Sequence, residues 1–492
     1  MTLPKSLVLL VTGAVFMIAT AVASEQTITL EAMGQKLKID EKQISVSGIS
    51  SGGFMAHQLH VAHSANLMGA GIIAGGPYYC AGGNVNKGMH ECTAFMSVEG
   101  CQKFMSLGVT SEKWCSYWFY NGPTHQEGSD EASGSSIQMA EKSVTATRSG
   151  GYNIDDPKGL LGDRVILIHG IKDTLLPRGV MDALDQYYQR INADLGQPSR
   201  TDHPLYLKTL PIAHAVPTDN SIGLRKGSQV GTCDTFDSPY LNACTLQDCT
   251  KTCPRETVQT KCDNPNDAEF ASCMQRDSSC LQQCMATIKA AAAILTHVYG
   301  GPLNSPSEET KIRIRDWNWS YFSPIERGCR KSGQTDPRCQ WLQKRLFVFD
   351  QSDITNNVDI FNRYLSDKGF LFVPPQCADG SVTCKLHIAF HGCRQGHGFP
   401  ITMIKEAIYS KVWTHFVENA GYNEWADAND IVILYPQARR GIMTSDIQHV
   451  NPQGCWDFWG YTDDKYHTKD GKQIAAVWKM AELLVPSLRA NP

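Results

Sequence analysis

Ile44-Ser45-Val46-Ser47-Gly48-Ile49-Ser50-Ser51-Gly52-Gly53-Phe54 is the stretch from which the fold can be read. Its first four residues alternate apolar and polar as a strand does, and they run into Gly-Ile-Ser-Ser-Gly, a G-x-S-x-G pattern. A helical stretch follows from Phe54 to Ser64, then a short apolar run, Ala70 to Ala74, ending in Gly75-Gly76. Strand, tight glycine turn, helix and strand form one right-handed βαβ unit, the building block of an α/β sheet. With 41 glycines in 492 residues, the pattern by itself matches easily by chance. Its position between a strand and a helix is what gives it weight. There the turn lifts the serine above the sheet edge and aims the next backbone N–H at the same point.

Outward from this unit the α/β rhythm continues. A strand at 164–169 leads to Gly170-Ile171-Lys172-Asp173, and a helix at 180–195 carries an apolar stripe at 180, 184, 187, 188, 191 and 195. Another strand is expected at 205–210, and further strands at 346–349, 370–373, 386–390 and 431–435, with a closing helix at 472–488. Residues from about 80 to 150 read as irregular loops holding four cysteines. A cysteine-rich insertion is expected at about 225–345, including an alanine-rich helix at 285–299. The fold class is therefore α/β: one catalytic domain over residues 24–492 with insertions, and no tandem repeat.

Composition bounds the function. Lys plus Arg is 45 against Asp plus Glu 49, a net charge of −4 without a basic field, which argues against a nucleic-acid partner. Residues 1–23 read as a secretory signal: Lys5 supplies the positive start, an apolar run follows, and Ala21-Val22-Ala23 gives the small-residue cleavage pattern. No later segment stays apolar long enough to span a bilayer, so no membrane association is expected after signal removal. Eighteen cysteines fit an oxidising compartment. Eight of them, from Cys233 to Cys284, crowd into one segment. Zinc is the alternative, but closely spaced C-x-x-C pairs are absent. Cys249/Cys253 and Cys280/Cys284 would instead sit on single helix faces, suited to a disulfide-stapled hairpin whose pairing the sequence leaves open.

A nucleophilic serine needs a base and an orienter, placed later in the chain and at strand ends. Asp173 follows one strand and His214 follows the next, giving the order Ser, Asp, His of α/β-hydrolases. His57, His60 and His63, on the helix after the turn, read as structural. The second oxyanion donor ordinarily comes from a loop that precedes the nucleophile, yet only about twenty residues separate the cleavage site from its strand. A suitable loop occurs at the other end, His391-Gly392-Cys393-Arg394-Gln395 after the strand at 386–390. If this is the oxyanion loop, the fold is circularly permuted.

Gly-Ile-Ser-Ser-Gly-Gly-Phe-Met-Ala (48–56), the Asp173-Thr174 loop, His-Ala-Val-Pro-Thr-Asp (214–219), His-Gly-Cys-Arg-Gln (391–395) and Asn-Pro-Gln-Gly-Cys-Trp-Asp-Phe-Trp-Gly-Tyr (451–461) belong to one pattern. Together they resemble the secreted poly(3-hydroxybutyrate) depolymerases of single-domain type, over residues from about 40 to 485. The resemblance implies a circularly permuted α/β-hydrolase with Ser50 as nucleophile, Asp173 as orienter and His214 as general base. It also implies the backbone N–H groups of Ser51 and Cys393 as oxyanion hole, no metal or organic cofactor, and a monomer acting on a polyester or oligoester. An uncharged polyester calls for an aromatic crevice. Trp456, Trp459, Tyr461, Tyr78 and Tyr79 are its candidate walls, with Trp317, Trp319 and Tyr321 behind them. Cys393 and Cys455, one in each of the last two motifs, are candidates to pair. A feruloyl or acetylxylan esterase with the same apparatus is the alternative, and a binding module on an inactive scaffold the non-enzymatic one.

Overall fold

The computed structural model describes residues 27–94, 134–196, 204–218, 231–234, 236, 240–244, 247–249, 284, 288–307, 337–352, 354, 365–396, 414–441 and 449–490. The expected signal segment and Trp317, Trp319 and Tyr321 lie outside these residues. The strands in chain order are β1 (Thr27–Ile28), β2 (Ile39–Ile49), β3 (Gly69–Ile73), β4 (Arg164–Ile168), β5 (Leu205–Leu207), β6 (Val216–Thr218), β7 (Gly231–Thr232), β8 (Leu241–Ala243), β9 (Leu346–Asp350), β10 (Lys368–Phe372), β11 (Cys384–Phe390) and β12 (Ile431–Tyr435). Nine of them form one sheet in the order β1-β9-β10-β12-β11-β2-β3-β4-β5, parallel except for β10, which runs against both its neighbours.

β2, which leads to Ser50, sits between β3, its successor, and β11, from the far end of the chain. β11 pairs with β2 in parallel from Leu386↔Ile44 to Phe390↔Gly48. The two strands therefore end at the same sheet edge, and their following loops meet there.

Both faces of the sheet are covered. Helix α1 (Ser51–Ala62) packs on one face, where a Cβ on Gly53 would lie 3.2 Å from the Ile72 side chain. On the other face Gly71, the next residue along β3, admits the Ile294 side chain so closely that an added Cβ would come within 2.5 Å of it. Alternation along a strand puts these contacts on opposite faces. Ile294 belongs to the helix Ala290–Tyr299, which ends at Gly300 (φ 75), a left-handed cap that glycine adopts without strain. Eight of that helix's ten residues are buried, so the alanine-rich helix is part of the central core. The expectation had placed it in the insertion; small alanine side chains are what let a helix lie close to a sheet.

Ser45 and Ser47, the polar positions of the β2 alternation, are both fully buried. Ser45 Oγ lies 2.8 Å from His387 Nδ1 and Ser47 Oγ 2.7 Å from His387 Nε2, while the Tyr422 hydroxyl lies 2.7 Å from Ser47 Oγ. A buried polar strand face is tolerated because its groups satisfy one another.

Part of the segment expected to be loops, 80–150, is helical, at Val85–His90 and Gly134–Arg148. The second of these packs on the helix Arg178–Asp194 through Ala140, Ser143, Val144 and Thr147, and the Thr147 hydroxyl lies 3.0 Å from the Tyr187 hydroxyl. Its buried face is small and hydroxylic, so it leaves no large-apolar stripe to read. Ser143 and Thr147 return their hydroxyls to the carbonyls four residues back. The closing helix runs only over Lys472–Leu484, and Pro486 begins a 3₁₀ turn.

Disulfides join Cys80–Cys92, Cys233–Cys244, Cys249–Cys284, Cys377–Cys384 and Cys393–Cys455. The Cys249–Cys284 bridge links one member of each i,i+4 pair, as a stapled hairpin requires; Cys253 and Cys280 lie outside the described residues. β6, β8 and β7 make a small parallel sheet beside this segment. No helix among the described residues is long and apolar enough to cross a membrane.

Candidate active site

Ser50 stands at the end of β2 with φ 57 and ψ −125, outside the conformations that ordinary residues prefer. Hydrogen bonds hold it there: Ser50 N–H donates to the Ile73 carbonyl at 3.0 Å, and Phe54 N–H donates to the Ser50 carbonyl at 3.0 Å. The flanking glycines provide space. A Cβ on Gly48 would lie 2.1 Å from the Gly52 carbonyl oxygen, and one on Gly52 would lie 2.4 Å from that of His391. Ser51 opens helix α1, so its N–H is among those with no carbonyl partner in the preceding turn. His57, His60 and His63 have structural surroundings, as expected. His57 Nδ1 lies 3.2 Å from the Gly76 carbonyl, His60 bridges the Tyr188 hydroxyl and Asp163, and His63 stacks on Trp478.

Asp173 sits in the turn after β4. Its Oδ1 accepts from the N–H groups of Leu175 at 3.0 Å and Leu176 at 2.9 Å. Oδ2 faces His214 Nδ1 at 2.8 Å, and the Asp173 side chain is 1% exposed. Burial alone would raise this carboxyl, but the His214 charge and hydrogen bond, with His169 and the Leu176 N–H, hold it below the ordinary carboxylate range. An ionised Asp173 makes Nδ1 the protonated nitrogen of a neutral His214 and leaves Nε2 as its basic atom. Nε2 is buried and has no hydrogen-bond partner among the described residues. The two loops are tied together by Ile171 N–H to Leu210 O and Lys172 N–H to Ile212 O.

The loop after β11 lies beside the Ser50 turn. His391 Nδ1 donates to the Gly392 carbonyl at 2.7 Å, and Nε2 accepts from Ala438 N–H at 3.0 Å. Burial holds His391 near pKa 4, so it stays neutral and serves as a brace. Gly392 N–H donates to Gln395 Oε1 at 2.7 Å. Cys393 is bonded to Cys455, the pairing its two motifs suggested. Trp456 N–H donates to Ser51 Oγ at 3.2 Å, which ties the aromatic segment to the start of α1.

Ser50, Ser51, His214 and Cys393 all border one cavity of about 300 Å³, whose walls are mostly apolar. Asp173 stands behind His214. Of the five aromatic candidates, Trp459 lines the cavity and the other four do not. Trp456 is buried beside the loop after β11, 4.9 Å from Phe390 and 5.4 Å from His391 between ring centroids. The Tyr461 hydroxyl donates to the Cys455 carbonyl at 2.7 Å, and Tyr78 and Tyr79 pack around His467. These four aromatic side chains pack elsewhere and do not border the cavity. The sequence missed Phe54, Phe236, Tyr240 and Phe458, which do line the cavity. Phe236 and Tyr240 come from the cysteine-rich segment, whose fold has no periodic signal. Phe54 and Phe458, stacked at 4.5 Å, lay inside quoted motifs without being singled out.

No known family model matches the chain. A "Poly(3-hydroxybutyrate) depolymerase" from Delftia acidovorans is 29% identical over 448 residues, covering 91% of this chain; the chain spans only 60% of that relative's length. A "Polyhydroxybutyrate depolymerase" from Talaromyces funiculosus is 26% identical over 447 residues, covering 89% of this chain and 88% of the relative. Among solved structures, a PHB depolymerase from Penicillium funiculosum superposes with a TM-score of 0.53 at 24% identity, over 92% of this chain and 98% of that one. A serine-to-alanine PHB depolymerase complexed with an R3HB trimer matches equally well. The chain is similar in sequence to these PHB depolymerases, as the motifs implied, and shares the fold of the solved ones, which is of α/β-hydrolase type.

Proposed function

We propose that the chain is a secreted serine esterase that hydrolyses poly(3-hydroxybutyrate) or a related polyhydroxyalkanoate to 3-hydroxyacid monomers or oligomers. The observation that carries this reading is the convergence of the Ser50 turn, the Asp173–His214 pair and the Cys393 loop on one apolar cavity. Residues 24–492 would act as one catalytic domain and as a monomer, with residues 1–23 removed on export.

In this mechanism His214 Nε2 takes the Ser50 hydroxyl proton as Oγ attacks an ester carbonyl. Asp173, held ionised, stabilises the imidazolium that forms. The N–H groups of Ser51 and Cys393 receive the tetrahedral oxyanion, each donor contributing about 3–4 kcal/mol in comparable sites. His214 then protonates the departing hydroxyl end of the chain. Water, activated by the same ring, releases the 3-hydroxyacyl group from Ser50. An apolar wall with few charged groups suits a substrate of alkyl stems and ester dipoles. Trp459, Phe458 and Phe236 are the aromatic surfaces available to it. No step calls for a metal or organic cofactor.

The test compares wild type with Ser50→Ala on amorphous poly(3-hydroxybutyrate), acetylxylan, a feruloyl ester and a short p-nitrophenyl ester. Wild type is expected to clear the polymer and release 3-hydroxybutyrate or its oligomers, and Ser50→Ala to lose at least about 10⁴-fold in kcat. Turnover of the plant esters with the polymer untouched would keep the serine mechanism and overturn the substrate.

A further inference from the structure

Residues 231–234 and 240–244, from the cysteine-rich stretch, contribute no group to the reaction above, yet their hydrogen bonds reach both loops that carry it. The Cys233 carbonyl accepts from Ala213 N–H at 3.2 Å and the Tyr240 carbonyl accepts from Val216 N–H at 2.9 Å, so the base loop is held on both sides of His214. The Tyr240 carbonyl accepts a second bond, from Gln395 Nε2 at 3.3 Å. Gln395 Oε1 in turn takes Gly392 N–H at 2.7 Å, directly before Cys393. The Tyr240 hydroxyl accepts from Arg394 Nη1 at 3.2 Å, and the Arg394 N–H donates to the Gln453 carbonyl at 2.8 Å. Tyr240 (φ 60) and Arg394 (φ 66) are both non-glycine residues in the left-handed region. Such a conformation persists only where surrounding contacts fix it. The Cys233–Cys244 disulfide closes the segment on itself.

We propose that Tyr240 is a positioning residue whose carbonyl, through Gln395, sets the general-base loop against the oxyanion loop. The inference rests on the serine-esterase reading and adds to it a role for the disulfide-closed segment. The chain of contacts runs from His214 through Val216 N–H, the Tyr240 carbonyl and the Gln395 amide to Gly392 and Cys393. Oxyanion donors act only if they are already in place when charge develops, and a displacement of about 1 Å costs on the order of 100-fold in rate. Loosening this link therefore acts on the transition state and spares ground-state binding.

Gln395→Met keeps the side-chain length and removes its bonds to Gly392 N–H and the Tyr240 carbonyl; Tyr240→Phe removes only the tie to Arg394. Each variant and their combination are assayed on a p-nitrophenyl ester, with rates divided by active sites counted through phosphonate labelling. Inhibition by an alkyl boronic acid, which mimics the tetrahedral intermediate, is measured alongside. Gln395→Met is expected to lower kcat by about 10- to 100-fold with KM within about twofold, and to weaken boronic acid inhibition in proportion. Tyr240→Phe should lower kcat by about three- to tenfold, and the double variant should fall short of the product of the two effects because both act on one element. Unchanged kcat and boronic acid affinity per labelled site, even with a lower melting temperature, would overturn the inference and leave a structural role. If Gln395→Met does not fold, Gln395→Glu, which keeps the acceptor for Gly392 N–H and loses the donor to the Tyr240 carbonyl, decides by the same readouts. A wild type that neither labels nor turns over ester would overturn the esterase reading and this inference with it; an active wild type with unaffected variants overturns this inference alone.

Discussion

The two halves of the candidate site are built in opposite ways. The nucleophile half comes from one contiguous stretch, in which β2, the Ser50 turn, helix α1 and β3 hold one another through near-neighbour contacts such as Ser50 N–H to Ile73 O. The candidate oxyanion half joins residues 391–395 to Tyr240, Gln453 and Cys455 through a disulfide and a few hydrogen bonds. Where the first half needs strain, glycines make room for it; where the second needs strain, at Arg394 and Tyr240, distant side chains hold it. A local device is specified once and is robust, whereas a device assembled across the chain depends on every tie.

Asp173→Asn tests the strongest of the cross-chain ties. The new amide oxygen could still accept from Leu175 and Leu176, but an amide nitrogen facing Nδ1 would select the wrong tautomer of His214. We expect kcat on a short ester to fall by about 10⁴-fold with an unchanged circular dichroism spectrum. A loss under tenfold would mean that the Ser50 half works without its orienter. The Cys393→Ser, Cys455→Ser double variant cuts the oxyanion half alone. Closing the 62-residue separation by a disulfide is worth about 2–4 kcal/mol, to be read by urea denaturation. kcat should fall about tenfold while phosphonate labelling of Ser50 persists. Labelling lost together with kcat would show that the two halves are not separable.

The last expected effect, on acid stability, does not separate the two halves, since His57 lies on α1 and His391 in the loop after β11. His57 and His387 are held near pKa 3, and His391 and His467 near 4, mainly by burial; His63 is also well depressed. Between about pH 6.5 and 4 the unfolded chain binds protons at these rings that the folded chain refuses, so stability falls as pH falls, by at most about 1.4 kcal/mol per unit for each ring. Asp457 and Asp185, both raised to about 6 chiefly by burial, act in the opposite sense between 6 and 3.8. Five rings against two carboxyls leave a net loss. The urea midpoint should therefore drop steadily from pH 6.5 to 4.5, and a flat profile would show that these histidines become solvated.

The elements legible from the sequence were those with a repeating signal. The strand at Ile431–Tyr435 has the expected limits, and the one at Arg164–Ile168 differs by one residue. The helix Gly134–Arg148 escaped because hydroxyl and alanine packing has no hydrophobic period. The candidate site was legible wherever a motif joins geometry to residue type: Ser50 and His214 border one cavity, and Asp173 lies 2.8 Å from His214. Trp456, Tyr461, Tyr78 and Tyr79 show the limit of that approach. An aromatic residue near a site motif serves equally well as a wall or as packing elsewhere, and these four pack elsewhere.

By itself, then, the chain determined the α/β class, the strand–turn–helix around Ser50, the order of the candidate triad and the loop that would complete it, because each depends on residues close together in sequence. The tertiary structure decided which aromatic side chains reach the cavity and how the disulfide-closed segment grips His214. It also decided that β2 is buried on both faces from Ile44 onward. These outcomes depend on which surfaces meet when distant segments pack, and such complementarity is a property of the assembled core, with no counterpart in the periodicity of any single stretch.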